Sequence, residues 1–215
     1  MKTTLLTFLA LITGITCLAQ EIEFAGSLNT SSEQRFQSAF GYGLQYQQGI
    51  NSKYKVGIGV HFNFNKSEFD NIPYFIGSSM GIIDEQIKSN SHRISIRLNI
   101  QRLLRDNENV SLSLGPEISY NYLWGKDQVH ERMDQLPNYF NYSQNIGLTK
   151  DFGIGLVSKI EIKKIVLPEL SLCFTIRPEI LIGKNYKVFG GIPPVFSGAL
   201  GFTEFQIGLN YRFKK

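Results

Sequence analysis

Cysteine is nearly missing from this chain, with two among 215 residues, Cys17 and Cys173. Two cysteines cannot set up a disulfide framework, and a structural zinc site has no ligand set to draw on. Histidine is almost as scarce, with three residues, and tryptophan occurs once. No phosphate-binding loop or dinucleotide-binding fingerprint is present. Charged residues make up 19% of the chain and the net charge is +4, a charge fraction below the ~25% usual in soluble domains. The basic residues are scattered rather than clustered, which argues against nucleic acid as a partner. Beyond residue 15 no apolar run approaches the ~20 residues that a spanning helix needs. What the chain does have is 42% hydrophobic residues, 20 glycines, 16 Phe and 10 Tyr. That is too apolar and aromatic for disorder, and the length suits one domain.

The first 19 residues read as a secretory signal peptide. Lys2 supplies the positive start, residues 5–15 the apolar stretch, and Cys17-Leu18-Ala19 the small-residue cleavage site before Gln20. The alternative, a lipoprotein acylated on Cys17, is disfavoured by the bulk of Ile15 and Thr16. Residues 20–215 then form the mature, exported domain.

From Gln20 onward, apolar and polar residues alternate at period two. In segment 53–65, Tyr54, Val56, Ile58, Val60, Phe62 and Phe64 stand against Lys55, Gly57, Gly59, His61 and Asn63. Segment 110–122 sets Val110, Leu112, Leu114, Pro116, Ile118 and Tyr120 against Ser111, Ser113, Gly115, Glu117 and Ser119. The same pattern recurs in 34–47, 92–104, 145–161, 168–182 and 203–213, and in a shorter stretch from Ile22 to Leu28. Successive side chains of a strand point to opposite faces, so each segment has one apolar and one polar side. The segments run about 11 to 16 residues, beyond the ~5–6 typical of globular strands and near the ~9–11 that cross a bilayer when tilted. The expectation is an all-β fold, an eight-stranded antiparallel up-and-down transmembrane β-barrel with its polar face inward. A soluble lipocalin-like ligand-binding barrel would reverse the faces.

The links alternate in length, except that the first, 29–33, is short where a long one is expected. Those at 48–52, 105–109 and 162–167 are short, whereas 66–91, 123–144 and 183–201 are long. Outer-membrane barrels have short periplasmic turns and longer outer loops, and an even strand count leaves both termini on the periplasmic side. Aromatic residues sort to the segment ends, with Tyr46, Tyr54, Tyr211 and Phe213 at one side and Phe36, Phe62, Phe64, Tyr120, Tyr122 and Phe205 at the other. Interfacial girdles take that form, with Val, Ile and Leu expected between them.

With these features, the mature chain resembles the small outer-membrane β-barrels of the OmpX/OmpA/PorT-like type, in the style of Bacteroidota. The resemblance rests on the leader ending Leu18-Ala19-Gln20, the eight alternating segments, and the terminal Leu209-Asn210-Tyr211-Arg212-Phe213, after which Lys214 and Lys215 follow. It implies an integral outer-membrane protein inserted by the barrel assembly machinery, surrounded by outer-membrane lipid and lipopolysaccharide, with a PorT-like link to protein secretion. A monomer without cofactor or metal is expected.

Eight strands leave an interior just wide enough for side chains, and a buried charge needs a partner. Hairpin registers that pair Arg97 with Glu117, Asp151 with Arg177, and Lys159 with Glu169 would supply structural ion pairs. A register setting Gly41 against Gly59 and Gly43 against Gly57 would leave room for long side chains. The sequences Gly115-Pro116-Glu117 and Arg177-Pro178-Glu179 repeat a proline before an inward acid, which suggests a bulge or bend.

Catalysis on lipid would need a nucleophile beside a base. His61 points inward, His92 outward, and His130 falls in a long link near Glu131 and Asp134, so no Ser–His pair shares a face at short spacing along the chain. The expectation is no catalysis, with a lipid-modifying barrel enzyme as the alternative. The long links carry Tyr74, Phe75, Trp124, Tyr139, Phe140, Tyr142 and Phe189 as candidate binding residues for an extracellular protein or glycan. The leader reading gives the first test. The exported protein is expected to start at Gln20, and intact mass analysis retaining residues 1–19 or showing acylated Cys17 would overturn it.

Overall fold

The computed structural model describes residues 20–31, 39–71, 82–133, 139–182 and 199–213. They form eight strands: β1 (Gln20–Ser31), β2 (Ala39–Gly49), β3 (Tyr54–Asn71), β4 (Ile82–Asp106), β5 (Val110–Met133), β6 (Tyr139–Lys163), β7 (Leu170–Ile182) and β8 (Ala199–Arg212). Each pairs antiparallel with its sequence neighbours, and β8 returns to β1 to close the barrel. The predicted leader, Arg35, Phe36, Tyr74, Phe75 and Phe189 lie outside the described residues.

The alternation puts acids, bases, amides and hydroxyls inside: Glu23, Gln45, His61, Arg97, Glu117, Lys159, Arg177 and Glu204 are all buried. Outside stand Phe24, Leu44, Ile58, Leu98, Ile118, Ile154, Ile180 and Ile207, every one exposed. This is the reverse of a lipocalin-like barrel, whose ligand cavity is apolar. An apolar band wrapping a polar interior is stable only in hydrocarbon, where the closed ladder also leaves no open edge. Tyr42, Phe62, Phe64, His92 and Trp124 gather at the outer rim of the band, and Tyr211 and Phe213 meet edge to face at the other. Phe24 and Phe174 depart from the expected sorting and sit within the band. Phenylalanine has no polar tip to keep wet, so hydrocarbon suits it; tyrosine and tryptophan hold to the interfaces.

The short turns close by local capture of backbone donors. The Asn51 side-chain oxygen accepts from the amides of Lys53 and Tyr54 at 2.8 and 3.0 Å. Asn107 repeats the device, accepting from Asn109 and Val110 at 3.1 and 2.7 Å. Between β6 and β7 the chain reverses through Lys164 in the left-handed region, φ 59°.

Four strands run further than expected. The links predicted at 66–91 and 123–144 are largely strand, because β3, β4, β5 and β6 continue past the outer aromatic row. Their outer faces there are polar, with Lys66, Glu68, Lys88, Asn90, Lys126 and Gln128 exposed. The ladder needs only backbone groups, whereas the hydropathy period stops where hydrocarbon stops, so the period ends before the strand does. A matched pair of substitutions locates that boundary. Ile118→Arg, at an outward position 57% exposed in mid-band, is expected to destabilise the barrel in lipid vesicles by about 2–4 kcal/mol. Gln128→Arg, on the arm, should change unfolding in the same denaturant titration by less than ~0.5 kcal/mol.

Candidate functional site

The lumen holds two stacked layers of charge. In the outer layer Arg97 reaches from β4 to Glu204 on β8 at 2.5 Å and to Glu179 on β7 at 3.6 Å. Arg93 spans to the same two acids at 3.1 Å (Glu179) and 3.3 Å (Glu204). Arg177 on β7 pairs with Glu117 on β5 and also donates to Gln45 and Gln206. Three guanidinium groups therefore meet three carboxylates, all buried.

Nearer the periplasm, Lys159 pairs with Glu23 at 2.6 Å and donates to Gln47 at 3.1 Å. Lys55 pairs with Glu21 at 2.8 Å, and Arg212 reaches Glu21 at 2.9 Å and Glu161 at 3.7 Å. Asn210 donates to both Glu21 and Glu161. Beside the outer layer Leu123, Leu181 and Phe202 form a small buried apolar cluster, with the Arg93 guanidinium 4.3 Å from the Phe202 ring centre.

The ion-pairing residues chosen from sequence are placed differently in detail. Arg97 registers with Ser119, and Asn99 takes the place opposite Glu117, donating to it at 3.2 Å. Arg97 still lies 3.9 Å from Glu117, on the diagonal. The expected pairs of Asp151 with Arg177 and Lys159 with Glu169 do not form. Lys159 registers with Thr175, Asp151 with Asn121, and Arg177 with Glu204; Glu169 lies in the β6–β7 turn. The expected glycine-on-glycine register of β2 and β3 is also displaced. Gly43 faces His61 and Gly41 faces Asn63, while Gly57 faces Gln47. A Cβ on Gly43 would run into the His61 ring, so each glycine makes room for one large partner rather than for a shared gap.

The two prolines sit at gaps in the pairing, and neither shifts the register as a bulge would. Pro116 faces out, and the β4–β5 register is interrupted beside it, between the pairs Asn99–Glu117 and Arg102–Leu114. Gly115 lets that backbone approach, since a Cβ there would collide with the Ile100 carbonyl oxygen. Pro178 has the same effect on β6–β7, with Gly155 at the close approach. The following glutamates, Glu117 and Glu179, face inward by the ordinary strand alternation and join the outer charge layer.

Among the histidines, His61 registers directly with Ser95 on the inward face, a pairing across strands that spacing along the chain does not reveal. The Ser95 hydroxyl donates to Asn121 at 2.5 Å, and Gln206 donates to His61 Nδ1 at 2.9 Å. Both side chains are buried in the lumen, out of reach of a lipid ester. His130 is a strand residue of β5, with Nδ1 2.5 Å from the Asn141 side-chain oxygen, and not a loop residue. Trp124, Tyr139, Phe140 and Tyr142, expected in a loop, stand in β5 and β6. Tyr139, Phe140 and Tyr142 register against Arg132, Glu131 and Val129, and Trp124 stacks on His92 at 5.4 Å.

No protein-family model matches the chain, and no curated protein matches it. Solved structures do. The outer membrane protein OprG from Pseudomonas aeruginosa superimposes with a TM-score of 0.51 at 10% identity, covering 92% of this chain and 97% of that one. A major outer membrane protein from Thermus thermophilus gives 0.50 at 13% identity, over 91% and 100%. Neisserial surface protein A gives 0.43 at 14%, over 91% and 97%. The chain is thus similar in fold to small outer-membrane barrels.

A double-mutant cycle tests the cross-lumen pairing. Glu23→Gln, which leaves the Lys159 ammonium without its carboxylate, is expected to cost about 3–5 kcal/mol. Adding Lys159→Met should recover part of that loss, with a coupling of about 0.5–3 kcal/mol in urea unfolding in vesicles. Additive losses would show that the two groups do not interact.

Proposed function

We propose that the chain is an integral outer-membrane barrel, exported by its leader and inserted by the barrel assembly machinery, that works as a structural and surface-binding protein rather than as a pore or an enzyme. The observation that carries this reading is the filled lumen, where two layers of buried, paired charge cross the barrel. A diffusive path would need mobile water where these side chains interlock, and an acyl-transfer site would need a nucleophile open to the leaflet. Chemistry with a partner is then left to the rims, and the outer rim is the one where β3 to β6 rise beyond the apolar band. The finer resemblance to PorT-like barrels extends this proposal to a link with protein secretion, which a deletion strain tests through loss of proteins from its medium.

Fractionation and electrophoresis test the main reading together. The protein is expected to leave the outer membrane only with detergent and to migrate differently before and after heating. Purified barrel in planar bilayers should give no steady conductance. Soluble recovery, or stable channels, would overturn it.

A further inference from the structure

The outer face of the β3–β6 arm carries rows of side chains fixed by the strand register. Phe64, His92 and Trp124 form one row, the top of the aromatic girdle. Directly above it, Lys66, Asn90, Lys126 and Asn145 are aligned across four strands. The row beyond holds Glu68, Lys88, Gln128 and Ser143. All eight residues of these two upper rows are exposed, and they continue the face that meets lipid lower down. Lys150 joins them from the girdle itself, with its ammonium 5.9 Å from the Tyr122 ring centre.

The two upper rows carry three lysines against one glutamate. Glu68 pairs with Lys88 at 3.2 Å, and Asp70 follows one row higher, registered against Gln86. Among the described residues Lys66, Lys126 and Lys150 have no carboxylate partner. Lys66 and Lys126 flank Asn90 with one strand between them, so their backbones stand about 10 Å apart, and the row lies about 7 Å along the strands from the girdle. Two cations with the Asn90 amide between them and Asn145 beside, over a stacked His92–Trp124 floor, suit a ligand with phosphate groups and hydroxyls. Depth and direction say where such a ligand comes from. The lysines face sideways, over the leaflet, so the group they meet is attached to a lipid beside the barrel.

We propose that this face binds the phosphorylated headgroup of an outer-leaflet glycolipid, with Lys66 and Lys126 as its principal anion contacts and Asn90, Asn145 and Gln128 serving sugar hydroxyls. The inference rests on the outer-membrane reading above, which heat-dependent migration tests separately.

The experiment uses the full mature barrel in phosphatidylcholine nanodiscs and follows its thermal unfolding and its binding of added lipid. Rough-type lipopolysaccharide is expected to bind and raise the unfolding midpoint. The same lipopolysaccharide stripped of phosphate should bind much more weakly, and free pyrophosphate should not substitute. The double variant Lys66→Gln/Lys126→Gln should bind about 25-fold more weakly, roughly fivefold for each lysine lost at an anionic surface. It should keep the heat-dependent migration of a folded barrel. Lys53→Gln/Lys164→Gln, at the opposite rim, should bind like wild type. Equal binding of the dephosphorylated lipid, full competition by pyrophosphate, or a folded double variant with unchanged affinity would each overturn the proposal.

Discussion

A charge inside an eight-stranded barrel has no bulk water to turn to, and much of this architecture follows from that constraint. Moving an ion into such an interior costs several kcal/mol, and the cost is offset only by a well-placed counter-charge with its remaining hydrogen bonds met. Here Arg93, Arg97 and Arg177 meet Glu117, Glu179 and Glu204, and Lys55, Lys159 and Arg212 meet Glu21, Glu23 and Glu161. Removing Lys159 would strand Glu23, whereas Arg93 and Arg97 share Glu179 and Glu204 between them. The glycines opposite His61 and Asn63 serve the same end, because they leave room for large polar side chains in the lumen. The wall facing the hydrocarbon can then be apolar, since these charges are turned inward and matched.

That constraint also decides what the sequence can reveal. The period of two is a property of neighbours along the chain, and it is enough for strand count and most of the inward set. Ion pairing is a property of neighbours across a lumen. Lys159 on β6 meets Glu23 on β1, Arg93 on β4 meets Glu179 on β7, and Arg97 on β4 meets Glu204 on β8. None of these strands are adjacent, so hairpin neighbours alone pair Lys159 with the wrong acid. Arg93 and Glu204 are legible as inward residues yet not as the hub of the outer layer. The β2–β3 register is hidden for a related reason: filling volume favours small opposite large, Gly43 against His61, over matching small with small.

The other departure, the length of β3 to β6, comes from a different source. Above the bilayer both faces of a strand can be polar, and the alternation that marks a strand in hydrocarbon disappears. The interruption between Leu123 and Gly125 adds to the effect. It shifts the β6 register by one residue, so that Asn145 and Ser143 join the outer face while Asp151 and Gly153 keep the inner one. Along the chain, β6 breaks its pattern at Lys150; in the barrel, the pattern changes face where the wall leaves the membrane.

The two rims of the barrel are not equivalent. At the rim of short turns the chain is drawn in on itself. Asn51 and Asn107 hold their own backbones, and Lys163 joins the β6–β7 turn to the β4–β5 turn through Asp106 at 2.5 Å and the Asn107 carbonyl at 2.8 Å. Polar groups there serve to close the structure. At the outer rim the wall is prolonged by four hydrogen-bonded strands, and Lys66 and Lys126 meet no carboxylate among the described residues. A fully charged side chain, held in register with its neighbours yet engaged with no counter-charge, is available to a partner at little reorganisation cost. The salt-bridged lumen contributes by making the platform below rigid, since those pairs fix register even where their net stabilisation is small. A closed interior and an extended, cationic outer wall are therefore two parts of one arrangement, in which the barrel holds a binding face at a set height over the leaflet.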